Sequence, residues 1–133
     1  MMIFIDTDTL SYFLTGNTII RGRMQDEIDC GNQICLTCIN VYEVIKGLRY
    51  RGNKNKEQDF YNLLRYVTVF RLDDNAIQKA ADIYASLRKK GITIGDADIL
   101  IASIVITNGG KFVTNNDRHF QNVESLEIEK WIY

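Results

Sequence analysis

With 133 residues, 46% of them apolar, the chain is long enough for one domain (residues 1–133) with a real core, and too apolar for a disordered one. The formal net charge is -1, so no global positive field announces a nucleic-acid binder, although charge can still be segregated along the chain. No apolar run reaches the roughly 18 residues of a membrane span, and no basic stretch leads into a long apolar one as in a signal peptide, so a cytoplasmic protein is expected.

The first element is the apolar run Met1-Met2-Ile3-Phe4-Ile5, read as a buried strand over 2–6 that stops at Asp6-Thr7-Asp8-Thr9. Thr9 or a neighbour opens a short helix with Leu10, Tyr12, Phe13 and Leu14, closed by Gly16-Asn17. A second helix spans about 18–30, and Gln33 to Thr37 reads as a strand. From about Asn40 the apolar positions Val41, Val44, Ile45 and Leu48 recur at helical spacing as far as Gly52, and another helix covers about 56–66. The β-branched and aromatic run Val67-Thr68-Val69-Phe70 is a strand. Asp73 or Asp74 then caps a long helix carrying Ile77, Ala80, Ala81, Ile83, Tyr84 and Leu87, with Arg88-Lys89-Lys90 in its last turn and Gly91 after it. A helix from about Asp96 to Asn108-Gly109-Gly110 follows, then strands at 111–114 and 126–129.

Strands separated by helices imply a parallel sheet covered on both faces. In such folds sites form outside the strand C-termini. Asp6 ends the first strand there, and Thr114-Asn115-Asn116-Asp117 follows a late one, so acidic residues from the two sequence ends are expected to meet. The three cysteines, Cys30, Cys35 and Cys38, are an odd number in a chain without an export signal, which argues against disulfides. Cys35-x-x-Cys38 lacks a second pair, and the single histidine, His119, is far off in sequence, so buried reduced thiols are favoured over zinc.

Asp6 holds the strongest position, although an Asp after a strand also caps helices and Asp8 competes for that duty. Of Asp96 and Asp98, one is expected to cap the buried apolar helix Ile99–Ile106 and the other to face the pocket. Glu43 lies among Val41, Val44 and Ile45, with Gly47 at i+4 removing bulk beside it; an exposed face residue paired with Lys46 or Arg49 is the bland reading. Thr114, Asn116 and Asp117 are either oxygen ligands or turn formers. Converging carboxylates suit Mg²⁺ or Mn²⁺, which polarise a phosphodiester and activate water. Lys46, Arg49, Arg51, Lys54 and Lys56 around Tyr50, with Arg21 and Arg23 as a smaller group, supply a positive rim for a polyanion or else a solvated helix face. No nucleophile elbow, Walker A loop or dinucleotide fingerprint is present.

At these residues the chain resembles the PIN-domain family, specifically the VapC-type toxin ribonucleases of toxin–antitoxin pairs. Ile5-Asp6-Thr7 with Leu10, Asn40-Val41-Tyr42-Glu43-Val44 with Gly47, Asp98-Ile99-Leu100-Ile101-Ala102-Ser103, and Val113-Thr114-Asn115-Asn116 with Phe120 are similar to the family's four motifs in order, and Trp131 to its closing tryptophan. The resemblance implies a three-layer α/β/α sandwich, an Mg²⁺- or Mn²⁺-dependent endoribonuclease, a homodimer, an RNA substrate and a cognate antitoxin. It implies Asp6, Glu43 and Asp98 as the acidic core, with Asp6 and Asp98 as metal ligands. Thr7, Asp96, Asn116 and Asp117 are further candidates, and Lys46, Arg49 and Arg51 are candidates for RNA binding. Two positions depart from the pattern: Asp8 stands where Asn is common, and Asn116 where an acid is expected. The alternatives are an inactive PIN-like module that binds RNA or protein and, on Asp6-Thr7-Asp8-Thr9, a haloacid-dehalogenase-like phosphatase.

Overall fold

The computed structural model describes residues 1–132. The chain order is β1 (Met2–Ile5), α1 (Thr7–Leu14), α2 (Thr18–Asp29), β2 (Gln33–Thr37), α3 (Cys38–Tyr50), α4 (Lys54–Leu64), β3 (Thr68–Phe70), α5 (Asp74–Lys89), α6 (Asp96–Thr107), β4 (Lys111–Val113), α7 (Asp117–Phe120) and β5 (Glu127–Glu129). The five strands form one parallel sheet in the order β3-β2-β1-β4-β5. The chain therefore fills one side of β1 first and the other side last. The reversal lies between β1 and β4, and it opens a crevice at their C-terminal ends.

Side chains alternate across the sheet and build two cores. Ile3, Ile5, Ile34, Leu36 and Val113 face α1 to α4, joined by Leu10, Ile20, Val44 and Phe60. Phe4, Cys35 and Phe112 face α5 and α6, joined by Ile83, Leu87, Ile101, Ile104 and Phe120. The molecule is thus the expected α/β/α sandwich. Helix α6 is buried over Ile99 and Ile101–Val105, as its unbroken apolar run requires. Gly110 enters β4 where a Cβ would lie 2.5 Å from the Phe4 ring and 3.2 Å from the Met2 carbonyl oxygen, so only glycine fits there.

Several element bounds differ from the sequence reading for local reasons. Asp6, and not Thr9, caps α1, which starts at Thr7. Helix α3 begins at Cys38 because the Thr37 hydroxyl accepts from Asn40 N, and α4 begins at Lys54 because Asn53 accepts from Lys56 N. On α5 the buried stripe is Ala76, Ala80, Ile83 and Leu87, whereas Ile77, Ala81 and Tyr84 are exposed. The one-turn helix α7 was not anticipated. Cys35 is buried, Cys38 half-buried and Cys30 exposed, all as free thiols. Burial pushes the Cys35 thiol up to about 11, consistent with an inert core residue. No described helix is long and apolar enough to cross a membrane.

Candidate functional site

The crevice is a cleft of about 500 Å³ lined by Asp6, Thr7, Asp8, Glu43, Lys46, Asp98, Asn115 and Asn116. Asp6 is buried on the cleft floor. It follows β1 directly, so the sheet fixes its backbone: Asp6 N donates to Val113 O at 2.9 Å. Its Oδ1 accepts from Thr7 N at 2.8 Å and from Asn40 Nδ2 at 3.0 Å, and its Oδ2 accepts from the Thr114 hydroxyl at 2.6 Å. Asp6 is therefore at once a helix cap and a member of the cleft.

Burial is the main cause that pushes the Asp6 carboxyl up, to about 6, with the Asp8 and Asp98 charges adding and the Thr114 and Thr7 hydrogen bonds opposing. Its own hydrogen bonds do not compensate the loss of water. A cation in the cleft would.

Asn40, in the sequence a helix start and a motif member, ties the acidic residues of the site together. It is fully buried at the head of α3. Its side-chain oxygen accepts from the Thr37 hydroxyl at 2.7 Å, and its amide nitrogen donates to Asp6 and to Thr7 Oγ1, both at 3.0 Å. The Thr7 hydroxyl in turn donates to Glu43 Oε1 at 2.7 Å. One chain of hydrogen bonds thus links Glu43, Thr7, Asn40, Asp6 and Thr114, and continues through Asn116 N, which donates to Thr114 Oγ1 at 2.9 Å. A buried polar residue with distant partners leaves no periodic trace, so sequence reasoning had only its short spacing to Glu43 as a signal.

The structure separates the remaining candidates. Asp98 reaches the cleft from the first turn of α6. Neither Asp96 nor Asp98 caps that helix, contrary to expectation, because Gly95 holds the cap position and no side chain takes the free N–H groups. Asp96 is exposed and lies outside the cleft lining. Asp117 is also outside it and points to Lys130 at 3.7 Å. Asn116 lines the cleft. Asp8 is committed to backbone, accepting from Thr9 N at 2.7 Å and from Asn115 N at 3.2 Å, which leaves it poorly placed as the second acid of a phosphatase pair. His119, set aside on sequence distance, lies 3.1 Å from Asp98 Oδ2.

The basic stretch is split by the helix period. Lys46 lines the cleft, with its ammonium 5.0 Å from the centre of the Tyr42 ring. Arg49 points elsewhere, bonded to Glu57 at 3.1 Å and Tyr61 at 3.0 Å. Arg51 and Lys56 line an adjoining groove of about 410 Å³ between α1, α3 and α4, which shares Thr7 and Glu43 with the cleft. The space above Gly47 is filled by the Arg51 guanidinium, 3.5 Å from where a Cβ would stand, and not by Glu43. Tyr12 and Tyr42 are exposed, and Phe13 is covered by Arg21 at 4.5 Å.

The donors suit a hard cation. They are carboxylate, hydroxyl and amide oxygens, four of them acidic side chains against one lysine. Among the described residues no three carboxylate, imidazole or thiol groups are gathered tightly enough to hold an ion alone. Asp6, driven up by burial and two neighbouring charges, is a carboxylate that a cation there would relieve.

A profile of the PIN domain matches residues 3–126 of the chain. A ribonuclease VapC2 from Rickettsia felis is 27% identical over 135 residues, covering 98% of each chain. A tRNA(fMet)-specific endonuclease VapC from Salmonella typhimurium is 30% identical over 104 residues, covering 75% of this chain and 76% of that one. Among solved structures, DNA-bound VapBC from Salmonella typhimurium superposes with a TM-score of 0.89 at 25% identity, over 99% of each chain.

Proposed function

The chain belongs to the PIN-domain family, among its VapC-type ribonucleases, and from that premise we propose that it is an endoribonuclease dependent on Mg²⁺ or Mn²⁺, the toxin of a toxin–antitoxin pair. The observation that carries the metal reading is Asp6: a carboxylate buried at a strand end, pushed up to about 6 although both oxygens are hydrogen-bonded, in a cleft of oxygen donors.

In this reading Asp6 and Asp98 hold the ion, with Asn116 and Thr7 at the edge of the set. When bound, Mg²⁺ or Mn²⁺ would supply Lewis acidity toward a phosphodiester oxygen and toward water. Glu43, fixed through Oε1 by Thr7, takes the proton of the attacking water. The water oxygen bonds to phosphorus, the bond to the 3′ oxygen breaks, and that oxygen leaves protonated from solvent. The products carry 5′-phosphate and 3′-hydroxyl ends. Lys46 offsets the charge of the bound strand, and Arg51 with Lys56 receives a neighbouring phosphate in the adjoining groove. Among the described residues neither Lys46, Arg51 nor Lys56 has an acidic partner within 4.0 Å, whereas Arg49 is paired and stays out of the RNA path. The proposal includes a homodimer and an antitoxin partner, and the antitoxin is supported by a solved relative that is itself a VapBC complex. Three free thiols accord with action in the cytoplasm.

The test is incubation of antitoxin-free protein with total RNA in Mg²⁺, Mn²⁺ or EDTA, beside Asp6→Asn, with the ends of cut products mapped. Metal-dependent cuts of the stated polarity, lost in the variant, are expected. Folded wild-type protein that binds RNA but cuts nothing with either ion would move the assignment to an inactive RNA-binding module.

A further inference from the structure

The two proposed metal ligands are held in very different ways. Asp6 takes hydrogen bonds on both oxygens from three separate elements. Asp98 stands in the first turn of α6 yet receives no backbone N–H. Its one hydrogen-bonding partner among the described residues is the His119 ring, with Nδ1 3.1 Å from Oδ2. The Asp98 side chain is 24% exposed, so without that contact little would hold its rotamer.

His119 is well placed to restrain it. The residue rides on α7, whose Phe120 is buried edge-on against Phe112 at 4.9 Å between ring centres. The turn is closed by His119 N donating to Asn116 O at 3.1 Å. One side of α7 is thus anchored in the core, and the imidazole contacts two residues of the cleft lining, Asp98 and Asn116. Nδ1 also lies 2.9 Å from the Asn116 side-chain nitrogen Nδ2, whose place the amide oxygen takes when the group is turned over. A carboxylate only accepts, so the contact with Asp98 is a hydrogen bond when Nδ1 carries the proton and Asn116 turns its amide oxygen to the same N–H.

We propose that His119 is a positioning residue of the metal site: its Nδ1–H fixes the Asp98 carboxylate in the cleft and, with Asn116, braces the end of β4 against the start of α6. The inference rests on the metal-dependent reading above. The neutral imidazole suffices for the role. It also gives Asn116, the position where an acid was expected, a use as part of the brace.

The amide of asparagine places a donor where Nδ1 stands, whereas that of glutamine places it nearer Nε2. The test compares His119→Asn, His119→Gln and His119→Ala for Mn²⁺ affinity, read from the electron paramagnetic resonance of free Mn²⁺, together with unfolding in EDTA. His119→Ala and His119→Gln are expected to weaken Mn²⁺ binding by about tenfold to a hundredfold, the usual effect of losing an outer-shell contact. His119→Asn is expected to restore it to within a few fold. All three should unfold at the wild-type temperature without metal. Saturating Mn²⁺ should bring kcat back in every variant, with KM for RNA unchanged. Unaltered affinity in His119→Ala overturns the inference, as does equal loss in His119→Asn and His119→Ala, the pattern of a direct imidazole ligand. Wild-type protein that binds no Mn²⁺ would instead sink the metal-dependent reading itself.

Discussion

Asp6 carries a conflict between fold and function in a single side chain. Its ordinary value near 3.8 becomes about 6 in the folded chain, chiefly through burial. The folded state therefore binds this proton more tightly than the unfolded state. Stability contributed by the protonated form is whole below 3.8, falls as pH rises, and is lost above about 6. In EDTA, Asp6→Asn should raise stability at pH 7.5 by about 1 to 3 kcal/mol, from a shift of roughly two units less the changed hydrogen bonds. At pH 4 the gain should vanish. Denaturant unfolding at both values checks the sign, and a variant less stable at pH 7.5 would refute it. Glu43 behaves otherwise: it is half-buried and held on one oxygen only. Glu43→Gln should lower kcat by about 10² to 10⁴, the scale of a lost general base, while Mn²⁺ affinity stays within a few fold. A comparable loss of affinity would make Glu43 a ligand instead.

Helix α3 shows how one element serves two faces. Arg49 and Arg51 are two residues apart, hence about 200° apart around the axis at 3.6 residues per turn. One pairs with Glu57 outside the site, and the other folds over Gly47 into the groove beside Glu43. Arg51→Gln should raise KM for RNA several-fold, leave kcat unchanged, and flatten the salt dependence of binding by about one unit of slope. Arg49→Gln should leave KM alone; equal effects from the two would remove the groove from the RNA path. Strand β4 offers a test of packing. Gly110→Ala drives a methyl into the Phe4 ring and should destabilise by about 1 to 3 kcal/mol, seen in thermal unfolding; a neutral result would mean that Phe4 has room to move. These elements also show what the sequence made legible. β1 and α6 were readable because an unbroken apolar run ended or began by an aspartate leaves few other placements. The facing of Arg49 and Arg51 was latent in the helix period but became meaningful only once Glu43 had fixed the site face. α7 was invisible because one turn has no periodicity. Asn40 and His119 were missed because each acts through a partner distant in sequence, at 34 and 21 residues, which only the sheet order brings close.

At the scale of the whole molecule the site is a product of topology. β1 supplies Asp6, α3 supplies Glu43, and α6 supplies Asp98, and they converge because the strand order reverses between β1 and β4. The net charge of -1 conceals this arrangement, since four carboxylates share one cleft while Arg51 and Lys56, without an acidic partner among the described residues, line the groove next to it. Such a concentration of like charge opposes folding and would be relieved by a cation, so on the proposed metal reading ion binding and stability should be linked. At a Mn²⁺ concentration about a thousand times its dissociation constant, linkage adds about 4.1 kcal/mol, more than the variant gains without metal. For a chain of this size that corresponds to a rise in Tm of roughly 15 °C over the same protein in EDTA. The rise should disappear in Asp6→Asn, which is the more stable protein without metal and should become the less stable one with it. That crossing of the two unfolding curves tests the arrangement more sharply than activity does. A structural aspartate would lose stability in both conditions, and an exposed one would lose it in neither. A wild-type Tm indifferent to Mn²⁺ would mean that the four carboxylates tolerate one another through solvent alone, and the cleft would have to be reassigned to binding without a metal.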